Sequence, residues 1–534
     1  MRKPPAAHED ERLWELSPDE TAAYYRVIST HVPLADRIDD RVWLDLELDR
    51  AFARLDRAAT PLGSQFLYAL LRLYQTRPSV LQENIRLYQE FAARPEARAA
   101  VVEAMRGLDH AESSALAEFL SGAMPSLPRY HRLFLGPAAA SILCTIGLLF
   151  SHWFIWPLIA LWITNLILQW TFGRKLSRYG PALKNIAVML GCVPRLIQAL
   201  ASSELAPARD LRSFAGLAGQ LRRKVALTLL RGIQGNDLAL ALVEYLNLLC
   251  LFELCFFSQA LERLQDHRAA LGQLFALIAR IDASQGLAAA LQSYPHWCLP
   301  ESQSARGFRF EAVYHPLVPA PVYNTMATSG KSLLLSGPNM AGKTTFIKTL
   351  GINLVLAQTL GLCLARRALL PLARVQTILD RQESVQDGQS YFLREASALL
   401  AMLRASEQAD RPCWFLIDEP FRGTNSLERI AAAQAILGYL DGRWLVIAST
   451  HDYELFEFLA DRFEAGHFGE SIDGGGARFD YLFRPGPCTS RNAIQLLTLA
   501  GYPREVTDSA AAAVEAQRSR MPLLSSLPKE GARP

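Results

Sequence analysis

Ser332-Leu333-Leu334-Leu335-Ser336-Gly337-Pro338-Asn339-Met340-Ala341-Gly342-Lys343-Thr344-Thr345-Phe346 is an apolar run that breaks on a glycine and resumes after Gly-Lys-Thr-Thr. A short apolar run bounded by turn residues reads as a buried strand, and the segment after Gly342 as the start of a helix. Residues 337–344 fit GxxxxGK[ST] and stand between strand and helix, the context that the physics of the motif requires. Glycines let backbone N–H groups close around phosphates, and a helix N-terminus adds the positive end of its dipole. Lys343 is placed to reach terminal phosphates, and Thr344 offers a hydroxyl to Mg2+. Gly337, Pro338, Asn339, Met340, Ala341, Gly342, Lys343, Thr344 and Thr345 thus form a candidate nucleotide-binding loop.

Two further runs complete the pattern. Trp414 to Ile417 reads as a second buried strand and ends on Asp418-Glu419. Burying unpaired charge is costly, so two adjacent acids at a strand end point to chemistry rather than packing. Asp418 is the candidate Mg2+ ligand, and Glu419 the residue that orients and activates an attacking water. Trp444 to Ser449 reads as a third strand and delivers Thr450-His451 at its end, where sheets of this kind meet their ligands. His451 is a candidate catalytic residue that senses a γ-phosphate or the water. From about 301 onward, such strands alternate with helical stretches. That alternation predicts a mainly parallel α/β domain over 301–516, with a disordered tail at 517–534.

Upstream the texture is helical. Ser17-Pro18-Asp19-Glu20 is a capping box with Pro at the first helical position. Apolar spacing of three and four runs through 42–55 and 66–73, and returns over 176–292, including 238–243. Between these regions, Leu133 to Phe172 holds no Lys, Arg, Asp or Glu. Forty uncharged residues match two spans of ~20, each long enough for a ~30 Å hydrocarbon core. Ser151-His152-Trp153 marks the turn. Trp153, Trp156 and Trp170 fall near the expected interfaces. Arg129 and Arg132 flank one end, and Arg174, Lys175 and Arg178 the other. A transmembrane hairpin with both ends in the cytoplasm follows from the positive-inside rule. Asn165 and Gln169 are the polar exceptions, placed to hydrogen-bond within the hairpin or between protomers. The expected organisation is therefore a helical region at 1–128, the hairpin at 129–175, a helical lever-like region at 176–300, and the α/β domain.

Composition fits that plan. The chain has 534 residues, 50% hydrophobic and 20% charged, and its mean hydropathy is +0.10. That excludes wholesale disorder. With 55 basic and 52 acidic residues, the net charge of +3 excludes a uniformly nucleic-acid-coating protein but not a local patch. Arg222-Arg223-Lys224 is the most basic cluster of the helical part, and reads as a solvated face or a phosphate-contacting one. The eight cysteines lack CxxC or zinc-ligand spacing and read as buried thiols. The first twenty residues hold no apolar stretch of signal-peptide type.

SGPNMAGKTTF, FLIDEPFRGTNS, IASTHDYEL and RNAIQLLTLAGYPREV, in that order, resemble the nucleotide-binding domain of the MutS family. Tyr314-His315-Pro316-Leu317 and Val322-Tyr323-Asn324 resemble the segments before its phosphate loop. A fainter likeness to the family's helical core appears at 59–65. The resemblance implies a P-loop, ABC-type ATPase that uses ATP and Mg2+ and works as a homodimer with composite sites. Ser390 matches the signature serine that reaches nucleotide in the partner subunit. Gly423, Thr424, Asn425 and Ser426 match the loop that crosses the dimer interface, and Asn324 matches an adenine contact.

Departures limit what carries over. The family's mismatch-reading domain carries Phe-x-Glu near its N-terminus, whereas here Phe468-Gly469-Glu470 lies in the C-terminal region. The stretch before 133 is too short for both a mismatch and a connector domain, and 176–300 shows no β-rich clamp. The expected protein is thus a multidomain ATPase anchored in the inner (plasma) membrane by 133–172, its soluble parts facing the cytoplasm. DNA enters as partner through the family likeness alone; the residues name no protein partner. The alternative is an ATP-driven conformational switch acting on a protein or envelope partner without DNA. An ABC transporter is disfavoured by one hairpin per chain and by the lack of LSGGQ.

Overall fold

The computed structural model describes residues 14–121, 134–173, 180–203, 206–226, 251–302, 306–338, 340–379, 391–408, 412–421, 425–473, 476–488 and 501–518. Asn339, Ser390, Gly423, Thr424, the basic flanks of the hairpin, residues 238–243 and the tail from 519 lie outside the described residues. The chain divides into two compact units: 1–37 with 55–293, and 38–54 with 294–534.

The first unit is helical. Its centre is the helix Arg268–Leu291, where Leu271, Leu274, Phe275, Ile278 and Ile281 are buried. The helices Pro61–Leu71 and Pro78–Ala93 pack against it. One buried acid ties this core together. Asp282 accepts from Ala59 N at 2.8 Å, from Thr60 N at 2.9 Å, and from Thr60 Oγ1 at 2.6 Å. It thereby caps the helix that begins at Pro61 from a distant part of the chain, satisfying donors that Thr60 does not satisfy itself. Burial pushes the Asp282 carboxyl up, while these donors and Gln285 pull it down. The Ser17 capping box forms as expected, and Arg222 and Arg223 lie on an exposed helix face.

The uncharged run folds as a hairpin of helices Leu135–Gly147 and Ile155–Leu168, the second continuing in a wider turn to Gly173. Its pattern is inside-out. Ser141 and Asn165 are buried between the helices and bonded, Asn165 Nδ2 donating to Ser141 Oγ at 3.2 Å. Leu143, Leu149, Phe150, Trp153, Trp156 and Trp170 face outward and are exposed. The Asn165 contact is thus made within the hairpin. Two arms of equal length are not found: His152–Phe172 is long and apolar enough to cross a bilayer, but Leu135–Gly147 has 13 residues. Residues 148–151 leave the first arm for the turn, where Gly147 admits the Phe154 ring that a Cβ would meet at 2.7 Å. Arg268–Leu291 passes the same length and hydropathy test but is mostly buried, as befits the core helix of its unit.

The second unit contains two sheets. Its strands are β1 (Glu301–Ser302), β2 (Arg309–Val313), β3 (Asn324–Ala327), β4 (Ser332–Ser336), β5 (Arg367–Leu370), β6 (Arg374–Ile378), β7 (Cys413–Asp418), β8 (Leu445–Ser449), β9 (Phe463–Asp473) and β10 (Gly476–Pro485). Six form a sheet ordered β10-β9-β4-β8-β7-β6, parallel except for the β9–β10 hairpin. The expected strands β4, β7 and β8 are its buried centre. A second sheet, β1-β5-β2-β3, was not anticipated. Nor was the membership of 38–54, which pattern alone places with the N-terminal helices. Long-range contacts explain it. Asp45 Oδ2 accepts from Leu379 N at 3.0 Å, Glu47 pairs with Lys348 at 2.9 Å, and Leu46 packs onto Gly351, where a Cβ would meet its methyl at 2.6 Å.

Candidate functional site

Three adjacent strands, β4, β8 and β7, end on the same side of the sheet, and the candidate residues follow their C-terminal ends. The loop after β4 needs its glycines. Gly337 has φ +140°, and a Cβ there would lie 2.5 Å from the Phe468 carbonyl oxygen. Gly342 has φ +97° and faces the Tyr481 ring. Lys343 opens the helix Lys343–Thr359, and its Nζ donates to the carbonyls of Gly337 at 2.8 Å and Pro338 at 3.0 Å. The cation thus rests on the loop's own oxygens, poised over the cradle. Met340 projects from the loop, exposed and at φ +69°.

Thr344 Oγ1 donates to Asp418 Oδ2 at 2.7 Å. The other carboxylate oxygen of Asp418 accepts from Ser449 Oγ on β8. The part-buried Thr344–Asp418 pair suits Mg2+, which takes oxygen ligands and is commonly held by one carboxylate together with substrate phosphates. Among the described residues there is no cluster of three or more His, Cys, Asp or Glu that could hold a metal, so an all-protein cage is not offered. If Mg2+ binds, Thr344 and Asp418 hold it, and it supplies charge neutralisation on phosphate oxygens.

Glu419 sits just past the end of β7 at φ +48°, with its N–H donating to the Ser449 carbonyl at 3.1 Å. Phe421, two residues on, has φ +62°, and its N–H donates to the buried Glu395 at 2.7 Å. Non-glycine residues in the left-handed region carry strain that neighbouring contacts must hold. The result is a carboxylate turned towards β8: His451 Nε2 lies 2.5 Å from Glu419 Oε1. A carboxylate and an imidazole in contact at a phosphate cradle form a proton-accepting pair.

These elements line a cleft of about 630 Å³ that includes Lys343, Thr344, Thr345, Glu419, Asn324 and Tyr481. Asn324 is in the lining, but both ends of its amide are engaged: Nδ2 donates to the Tyr481 carbonyl at 3.1 Å, and Oδ1 accepts from Phe483 N at 2.7 Å. It therefore staples β3 to β10. His315 also lines the cleft; burial pushes its imidazole down to about 4, so it is neutral at physiological pH. Asn425 caps the helix Ser426–Asp441, accepting from Leu427 N at 3.1 Å.

Several contributors escaped the sequence reading. Ser449 adjoins the Thr450-His451 pair but reads as one more buried strand residue. Tyr481 lies within a register shift in β10 and Phe483 at its end, and Phe483 stacks on Phe346 at 5.5 Å, with nothing in the local sequence to signal it.

Residues 333–517 match the family model described as MutS domain V. That match begins in β4 and takes in the phosphate loop, Asp418-Glu419 and His451. The DNA mismatch repair protein MutS of Thermus thermophilus is 28% identical over 264 residues, 48% of this chain and 32% of the relative. The MutS protein of Natronomonas pharaonis is 29% identical over 264 residues, 47% of this chain and 29% of the relative. That of Halalkalibacterium halodurans is 28% identical over 267 residues, covering 48% and 30%. In each case the match spans less than a third of the relative, so MutS likeness attaches to one part of the chain.

Proposed function

We propose that the chain is a membrane-anchored, MutS-related ATPase that binds and hydrolyses MgATP as a homodimer, with DNA as its partner. The observation that carries the ATPase reading is one cleft lined by Lys343, Thr344 and Glu419, with Asp418 bonded to Thr344 and His451 in contact with Glu419. Lys343 and the loop amides bind phosphates, Thr344 and Asp418 hold Mg2+, and Glu419 takes a proton from the attacking water beside His451. The match to MutS domain V supports the same reading.

The dimer is supported by exposed apolar side chains on three segments that carry the candidate residues: Met340 in the phosphate loop, Leu393 three residues after Ser390, and Leu427 two residues after Asn425. A second copy would cover them and bring Ser390 to the nucleotide. Membrane anchoring is supported by the inside-out hairpin, whose polar residues face each other while its apolar ones face out. The DNA role rests on likeness to proteins named for DNA mismatch repair. Mismatch recognition is not part of the proposal, since Phe468-Gly469-Glu470 lies within β9.

The decisive experiment measures MgATP hydrolysis by the full chain in detergent or lipid nanodiscs, beside Glu419→Gln. Turnover in the wild type that the variant lacks supports the ATPase; equal turnover removes it. A salt series of duplex binding addresses DNA, because an interface of neutralised phosphates weakens steeply with salt. Absent or salt-insensitive binding leaves the switch acting on a protein or envelope partner.

A further inference from the structure

Arg429 stands in the first turn of the helix Ser426–Asp441, where the helix dipole presents its positive end and a cation meets like charge. Its placement is explained by a partner elsewhere in the chain. The guanidinium forks onto Asp452, with Nε 2.9 Å from Oδ2 and Nη2 2.5 Å from Oδ1. Both side chains are largely covered, 25% and 14% exposed, so the pair is shielded from the screening that makes surface ion pairs weak. Two parallel bonds from a planar fork fix orientation as well as distance.

Asp452 directly follows His451. Among the described residues the His451 ring makes one polar contact, to Glu419, and it is 40% exposed. With one polar partner and much of the ring open, its aim depends on the backbone that carries it. That backbone is held at two points. Thr450 N donates to the Leu335 carbonyl of β4 at 3.0 Å on one side of His451, and Asp452 is clamped by Arg429 on the other. Asp452 N also donates to Thr450 Oγ1 at 3.0 Å, closing a small turn around the histidine. We infer that Arg429 and Asp452 are a positioning pair that aims His451 at Glu419. The inference rests on the hydrolytic reading above and deepens it. It also ties His451 to the first turn of the helix Ser426–Asp441.

The test uses the full-length chain and measures kcat, KM and nucleotide affinity for Arg429→Ala, Arg429→Lys and Asp452→Ala, each with His451 intact and in a His451→Ala background. Misplacing a reacting group by about 1 Å costs about 10²-fold. The alanine variants should lose about that factor in kcat with nucleotide affinity within about twofold of wild type. Lysine, which keeps the charge but not the fork, should recover only part. In the His451→Ala background the same changes should cost nothing further, because a pair that acts through His451 has nothing left to position. Equal losses in both backgrounds, an unchanged kcat, or a fall in affinity matching the fall in rate would overturn the inference. The reciprocal exchange Arg429→Asp with Asp452→Arg guards against a folding defect, and should restore kcat above either single change. Glu419→Gln separates the two levels. If it turns over like wild type, the hydrolytic reading falls; if it stalls while the Arg429 variants run at wild-type rate, only the positioning role falls.

Discussion

Thr344 Oγ1 lies 2.7 Å from Asp418 Oδ2, joining the helix after the phosphate loop to the end of a strand 74 residues later. Ser449 holds the second oxygen of the same carboxylate, so a helix start and two strand ends meet on one acid. The acid is thus oriented before any ligand arrives, and little reorganisation is needed to place an oxygen pair on a divalent cation.

Asp418→Asn should therefore separate nucleotide binding from its metal dependence. The amide keeps the contact with Thr344 or Ser449 but removes the negative charge that attracts Mg2+. Nucleotide affinity measured by calorimetry should become nearly indifferent to Mg2+, and hydrolysis should fall by about 10²-fold or more. A Mg2+ response as large as that of the wild type would place the cation elsewhere.

Lys343→Ala and Glu419→Gln should fail in different ways. Without Lys343 the phosphates lose their cation, and binding itself weakens. Glu419→Gln preserves shape but cannot take a proton, so binding persists while kcat drops by about 10²–10⁴-fold. Equilibrium binding of a fluorescent ATP analogue beside single-turnover hydrolysis distinguishes the two outcomes.

The candidate site was legible because the residues that compose it stand in short runs at strand ends: a glycine loop, an acid pair and a histidine, each next to a buried apolar run. What supports it was not. Ile38 to Arg54 joins the C-terminal unit through Asp45, Leu46 and Glu47, whose partners lie about three hundred residues away and leave no local trace. Asn324 matched an adenine contact, yet its amide bonds to main-chain groups of β10 that only the folded sheet brings near. The unequal arms of the hairpin depend on where Gly147 and Phe154 meet, and counting uncharged residues does not locate that contact. Period and motif report local chemistry; pairing across the chain has to be seen.

Acid should destabilise the C-terminal unit in two stages. Burial is the main reason that the folded His315 titrates near 4 rather than near 6.5, with Lys348 and Arg54 adding to the shift against the pull of Glu47. The unfolded chain then binds more protons between those values, and stability falls as pH drops from 6.5 towards 4, by up to about 3 kcal/mol. Glu47, held down to about 2 first by the hydrogen bond from Lys348 and then by that from Arg50, extends the loss below pH 4.5. Urea midpoints between pH 7 and pH 5 should fall for the wild type and stay flatter for His315→Asn. Parallel curves would show that His315 is not the group responsible.

The hairpin should hold the full chain on membranes through washes in high salt and alkaline carbonate. Its outward face of Leu, Ile, Phe and Trp has no polar stripe with which to meet water, while Asn165 donates to Ser141 inside. Replacing Leu143 and Ile163 together by Lys should release the protein into the soluble fraction, because each cation at bilayer depth costs about 2.5–3.5 kcal/mol. Release of the unaltered chain by carbonate would make the hairpin a peripheral contact.

Hydrolysis should require two chains, with Ser390 serving the nucleotide of its partner. Each chain supplies one phosphate loop, one Asp418-Glu419 pair and one Ser390. A two-fold interface is self-complementary, so a single geometry completes both sites at once. ATP that binds the closed pair better than the open one would then drive closure, as any ligand shifts an equilibrium by its differential affinity. Lys343→Ala and Ser390→Ala homodimers should each be nearly inactive. In a mixed dimer, the intact loop of the Ser390→Ala chain faces the intact serine of the Lys343→Ala chain, which restores one composite site. At equal mixing half the dimers are of this kind, so the recovered rate should approach a quarter of the wild-type rate per chain, about the share expected for one working site in every second dimer. A rate that stays at the single-mutant level after chain exchange is demonstrated would assign Ser390 to its own chain or to no role in hydrolysis.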